Sequence, residues 1–211
     1  MRIRIGFSKQ GALRYTGHLD LHNLWERAVR RAALPLEYSQ GYHPQPKIQF
    51  ASALPLGFAS CAEVMDLWLK EERGLEACRA GLQAALPDGI QILAIEQVDE
   101  RAPALQTQVV AAEYKITVPA EFASGLNEKA AALMLAASLP RERRGKTYDL
   151  RPLVESLCLS PLPLEDEAGV LIFLRLASRE GATGRPEEVL DQMGIPADPV
   201  RIERTRLIFQ G

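Results

Sequence analysis

Cysteine and histidine are scarce in this chain of 211 residues, with three of each. Cys61, Cys78 and Cys158 stand 17 and 80 residues apart, so no C-x-x-C pair exists. A zinc ribbon or an iron–sulfur cluster built from this chain alone is therefore not expected. The odd count fits reduced thiols in the cytoplasm, which is the expected location. No apolar run approaches the about 18 residues that a membrane helix needs. The opening Met1-Arg2-Ile3-Arg4-Ile5 alternates charge and lacks the apolar stretch of a signal peptide. G-x-x-x-x-G-K-S/T, G-x-G-x-x-G and G-x-S-x-G are all missing. That argues against a phosphate-binding P-loop, a dinucleotide fingerprint and a hydrolase nucleophile elbow.

A dominant sign of charge is also lacking, because the net charge is −2. The local distribution differs. Residues 1–50 carry eight basic against three acidic groups, whereas residues 51–103 carry four against nine. A basic first stretch beside an acidic second one fits a local anion-binding face better than a general polycation.

Hydrophobic periodicity sets the expected elements. Arg2 to Phe7 alternates polar and apolar, as a strand with one buried face does. From Leu19 to about Ala33 the residues Leu21, Leu24, Trp25, Ala28, Val29 and Ala32 form a helical stripe, which Pro35 ends. Strand pieces are expected at Glu37–Gln40 and Lys47–Ala51, a strand at Glu63–Leu69, a helix at Leu75–Leu86 and a strand at Gly89–Val98. The order then repeats: strand Glu113–Pro119, helix Ala123–Leu139, strand pieces or a short helix within 146–160, strand Val170–Ala177, helix Pro186–Met193 and strand Val200–Phe209. The expected fold class is α+β, as two consecutive ferredoxin-like (βαββαβ) halves. The expected domains are 1–103, with a His/Arg/Tyr-rich site, a linker 104–112, and 113–211.

That site lies between Gly11 and Gly57, which contains all three histidines. His18 and His22 stand four apart at a helix start and can share a face. With a third ligand, Asp20 or His43, they could hold a metal, although the intervening Leu-Asp-Leu is not the H-E-x-x-H form. Arg14, Arg27, Arg30 and Arg31 offer guanidinium groups for phosphate, or a solvated helix face with Glu26 pairing Arg30. Tyr15, Tyr38 and Tyr42 offer stacking faces for bases. Gly41-Tyr42-His43-Pro44-Gln45-Pro46 is either a stiff loop that fixes Tyr42 and His43 or a simple turn. Leu54-Pro55-Leu56-Gly57 reads as a structural turn. Arg141, Arg143, Arg144 and Lys146 form a basic loop that Arg201, Arg204 and Arg206 could extend.

The runs Phe7-Ser8-Lys9-Gln10-Gly11-Ala12-Leu13-Arg14-Tyr15, His18-Leu19-Asp20-Leu21, Tyr38-Ser39-Gln40-Gly41-Tyr42-His43-Pro44 and Ala53-Leu54-Pro55-Leu56-Gly57 resemble the radical-SAM-associated domain family of unknown function. Tyr148-Asp149-Leu150-Arg151-Pro152 and Arg185-Pro186-Glu187-Glu188-Val189-Leu190 extend the resemblance into the second half. Tyr42 and Gln45 depart from it, since the family often has Phe and a basic residue there. The resemblance implies a radical SAM protein as partner, fused or separate. That partner is expected to hold the iron–sulfur cluster, S-adenosylmethionine and cobalamin, with no cofactor bound by this chain. The C-x-x-x-C-x-x-C cluster motif is absent.

The expected function is a non-catalytic, substrate-binding accessory to that partner, acting on RNA or a ribosome-linked substrate. The candidate binding residues are Arg14, Tyr15, His18, Asp20, His22, Arg27, Arg31, Tyr42, His43 and Lys47. A stand-alone RNA-binding protein or metal-independent RNA endonuclease, with His18 or His43, Tyr15 and Lys47 doing the chemistry, is the first alternative. A metal- or small-molecule-binding module built on His18, His22 and His43 is the second.

Overall fold

The computed structural model describes residues 1–143, 145–162, 169–179, 181–196 and 198–210. It is a mixed α/β structure with two compact units, Met1–Val109 and Val110–Gly211. The unit boundary falls inside the segment 104–112 that reads as a linker. Those residues instead form a short helix and the first residues of a strand, and Leu105, Val109, Ala111 and Ala112 are buried. Pro103 and several polar residues suggest a connector, but the apolar residues spaced among them are buried.

Unit 1 consists of β1 (Arg2–Lys9), a 3-10 turn (Gly11–Tyr15), α1 (His18–Arg31), β2 (Ile48–Phe50), β3 (Ala59–Trp68), α2 (Leu75–Ala85), β4 (Ile90–Val98) and α3 (Leu105–Gln108). The sheet order is β4-β1-β3-β2 and each pairing is antiparallel. Ile3, Ile5 and Phe7 of β1 bury completely against Trp25 and Val29 of α1 and Leu82 of α2. The Phe7 and Trp25 rings meet edge to face, with centroids 4.9 Å apart. The alternation seen in Arg2–Phe7 thus sends every second side chain to the helices.

The other face of β1 is not solvated as that alternation suggests. Arg2 is buried and Asp66 is fully buried. Asp66 accepts from Arg2 Nε at 3.0 Å and Nη2 at 2.6 Å. It also accepts from Arg4 Nε at 2.9 Å and Nη2 at 3.1 Å. Arg2 further donates to the carbonyls of Ala102 (2.6 Å) and Pro103 (3.1 Å), and its guanidinium lies 4.8 Å from the centre of the Trp68 ring. One carboxylate therefore joins two guanidiniums, and Arg2 pins the segment that follows β4.

Unit 2 consists of β5 (Val109–Pro119), α4 (Leu126–Leu135), the hairpin β6 (Pro140–Arg143) and β7 (Lys146–Asp149), β8 (Val154–Pro161), β9 (Gly169–Arg179), β10 (Ala182–Thr183), α5 (Pro186–Gln192) and β11 (Arg201–Phe209). The order of the long strands is β11-β5-β9-β8, with β10 also on β9. Helix α4 is shorter than its Ala-rich run suggests. Gly125, at φ 68°, precedes its first residue, and the chain is extended by Ala136. Residues 150–157 are not a helix, because a 3-10 turn at Arg151–Leu153 leads into β8. The Tyr-Asp-Leu-Arg-Pro motif is a staple there. Asp149 Oδ1 accepts from the Leu139 and Arg151 amides, which holds its carboxyl below the usual range. Arg151 donates twice to the Met134 carbonyl at the end of α4 and once to that of Val154. Among the described residues no helix is long and apolar enough to cross a membrane.

Replacing Asp66 by Asn leaves two guanidiniums around a neutral amide. Breaking a buried pair in this way costs about 3–5 kcal/mol. Urea unfolding of Asp66→Asn should show that loss, and adding Arg4→Met should recover part of it.

Candidate functional site

Beyond Phe7, the inward side of β1 changes from apolar to charged. Lys9 continues the inward series Ile3, Ile5, Phe7 and is only 1% exposed. Glu63 opens the inward series Met65 and Leu67 on β3, which Leu69 continues just past the strand, and is 2% exposed. The pairing supports this placement, because Phe7 faces Glu63 and Lys9 faces Ser60, with a register shift between them. Such an irregularity re-aims side chains near the end of a strand. Neither Lys9 nor Glu63 was among the residues marked from sequence. The signal was available, since each sits at an inward position of a strand whose other inward residues are apolar.

Lys9 fixes the next element. Its ammonium donates to the Thr16 carbonyl at 2.8 Å and reaches that of Arg14 at 3.5 Å. These carbonyls end the 3-10 turn Gly11–Tyr15. The start of the turn is held by the Gln10 amide on the Gly89 carbonyl at 2.8 Å. Gly89 has φ +94°, and a Cβ there would lie 2.7 Å from the Gln10 carbonyl oxygen, so the close approach requires glycine. The Arg14 carbonyl also accepts from the Gly57 amide at 2.8 Å, which brings Leu56-Gly57 beside the turn.

The turn presents Arg14 and Tyr15. The Arg14 guanidinium lies 4.6 Å from the centre of the Tyr15 ring, and Nη2 donates to the Tyr15 hydroxyl at 2.6 Å. Among the described residues no carboxylate pairs with Arg14. Helix α1 begins directly after this turn, with Gly17 as N-cap and His18 as first residue. His18 and His22 share the face that meets Phe50, at ring-centroid distances of 5.3 and 6.2 Å. His18 is exposed and His22 half-buried. Partial burial, then the neighbouring His22, lower the His18 pKa from the ordinary 6.5. Glu63 opposes that shift and Lys9 reinforces it.

The remaining marked residues lie apart from this group. Asp20, Arg27 and Arg31 are exposed on α1 and fall roughly 180–220° round the helix from His18 at about 100° per residue. Arg30 pairs with Glu26. Residues 37–47 form a narrow irregular hairpin. Ser39 and Gln45 exchange hydrogen bonds through the Ser39 amide and hydroxyl, Tyr38 faces Pro46, and Lys47 pairs with Glu37. Tyr42 and His43 are exposed at its tip. Among the described residues no hydrogen bond or ring contact links them to His18 or His22. An open polar cleft of about 580 Å³ at the foot of this hairpin, between Tyr38, Pro44 and Glu100, contains none of the histidines. Among the described residues no three His, Cys, Asp or Glu side chains are placed to hold a metal ion.

The basic patch expected in the second half is also divided. Arg141 bonds to Gln192 at 2.7 Å and pairs with Asp191 at 3.3 Å, and Arg204 is buried. Arg144 lies outside the described residues. Burial, then the neighbouring Glu188, push the Tyr148 phenol up to about 12.

A family model described as "Uncharacterized protein conserved in bacteria (DUF2344)" matches residues 2–186. No curated protein matches the sequence. One similar solved structure is of a protein from Shewanella oneidensis provisionally described as a dyp-type peroxidase. It is 8% identical, with 91% of this chain and 81% of that one covered and a TM-score of 0.23. So low a score establishes no shared fold.

His18 should titrate below an ordinary histidine, and His22→Ala should move it back up, as followed by its ring Cε1 proton in NMR. Because the folded value is lowered, the stability that His18 contributes is complete above the ordinary histidine range. It is lost as pH falls through that range.

Proposed function

The chain belongs to the DUF2344 family of conserved bacterial proteins, and from its residues we propose a substrate-binding accessory protein that works with a radical SAM partner on RNA or a ribosome-linked substrate. The observation that carries the binding part is the end of unit 1, where Arg14, Tyr15 and His18 reach the surface over the buried Lys9 and Glu63. Burying an ammonium and a carboxylate is costly, and a plain turn does not need it. Here it fixes a cationic and aromatic surface of the kind that grips phosphates and bases.

The radical SAM part is supported by the motif runs of residues 7–57 and by the missing cluster motif, which leaves that chemistry to a partner. We also read each unit as a ferredoxin-like half. In support, the long strands of both follow the order fourth, first, third, second. Two features weigh against the endonuclease and metal-module alternatives. Lys47 is engaged by Glu37, and among the described residues no hydrogen bond or ring contact joins His43, at the hairpin tip, to the other histidines.

Affinity capture of the tagged chain from its own cells should bring down a radical SAM protein together with RNA. Arg14→Ala should keep the protein and lose most of the RNA. Absence of any radical SAM protein, with the partner's product unchanged on deletion of this chain, would sink the reading.

A further inference from the structure

Three large apolar side chains are exposed around the turn that carries Arg14. Tyr15 is 62% exposed, Leu19 77% and Leu56 65%. Single exposed leucines are ordinary. They belong to three segments that meet at the turn through the backbone. Leu19 follows the turn on α1, and Leu56 arrives through the Gly57 amide bonded to the Arg14 carbonyl. Alongside them stand an arginine with no carboxylate partner among the described residues and the exposed His18.

We propose that this end of unit 1 is a site for one unpaired nucleotide of a single-stranded nucleic acid. Tyr15, Leu19 and Leu56 take the base, and Arg14 and His18 take its phosphate. This rests on the RNA-binding reading and specifies it. A planar base gains from an exposed aromatic ring flanked by aliphatic groups. A guanidinium has five N–H donors, of which Tyr15 engages one, so a bidentate contact to a phosphate remains open. The stack on Tyr15 holds that guanidinium in place before any ligand arrives. Bases paired within a duplex do not present their faces, so the site selects single strands. A protein partner that fits the apolar residues would have to set a carboxylate over Arg14, and radical SAM capture by the variants separates that case. Lys9 is a positioning residue, because its bonds to the Arg14 and Thr16 carbonyls aim the turn. Because burial and His22 lower the His18 pKa, affinity rises as pH falls below the ordinary histidine range and the ring gains a proton.

Fluorescence anisotropy with labelled short oligouridylate, oligodeoxythymidylate and an RNA hairpin tests this on the full chain. The expected result is tighter binding of single strands than of the hairpin. Tyr15→Ala weakens binding on the order of tenfold, and Leu56→Ser does so less. Arg14→Gln lowers the salt slope by about one. These exposed sites leave the thermal midpoint in place, whereas Lys9→Met, which alters the interior, is read at a temperature where it is folded. There the expected effect is weaker binding without a changed salt slope. Binding that ignores Tyr15→Ala and Leu56→Ser overturns the nucleotide site and leaves RNA binding standing. Binding of no nucleic acid at all removes both. Loss of radical SAM capture in the same variants, with nucleic-acid affinity unchanged, reassigns the surface to a protein.

Discussion

The Asp66 carboxylate between Arg2 and Arg4 is the constraint on which unit 1 depends. Arg4 and Asp66 are direct cross-strand partners of β1 and β3. A slip of one residue would turn Ile3, Ile5 and Phe7 outward and bring Arg2 and Arg4 into the apolar core. The ion triad thus penalises the wrong register from one face while the core rewards the correct one from the other. Buried ion pairs contribute little net stability against their desolvation. This one serves mainly to select an arrangement, and it extends that selection to Ala102 and Pro103 through the remaining donors of Arg2.

Once the register is set, the far end of β1 is set too. Lys9 must then point inward with Phe7, where its ammonium meets the carbonyls of the turn that follows. Sheet register therefore reaches Arg14 and Tyr15 through Lys9, together with the backbone bonds Gln10–Gly89 and Gly57–Arg14. The site sits on an element whose position the sheet dictates, and the exposed hairpin at residues 37–47 lies outside that path.

Much of the architecture was legible in the sequence, because Ile3-Ile5-Phe7 and the stripe Leu21-Trp25-Val29 are strong periodic signals. Their helices and strands appear close to the expected bounds. What was not legible depends on the third dimension. Arg2 reads as a solvated residue, yet it is buried because Asp66 stands opposite it and a later segment covers it. The Ala-rich run Ala123–Leu139 predicts a longer helix than α4, because alanine propensity continues where packing does not. Within the candidate site, Arg14, Tyr15, His18 and His22 are near in sequence, and the 3-10 turn and the start of α1 keep them at one end of the unit. Arg27 and Arg31 were grouped with them by proximity in sequence, which the helix reverses by turning them away. Lys9 and Glu63 were passed over because a charged residue in a strand is normally assigned to its solvated face.

The bonds from the Lys9 ammonium to the turn carry a temporal meaning. The turn cannot take its shape until the strand end that aims Lys9 is paired, and that pairing belongs to the sheet as a whole. A nascent or half-melted chain has Arg14 and Tyr15 in its sequence but no fixed relation between them. The surface they form is therefore in place only when the strand end beneath it is paired.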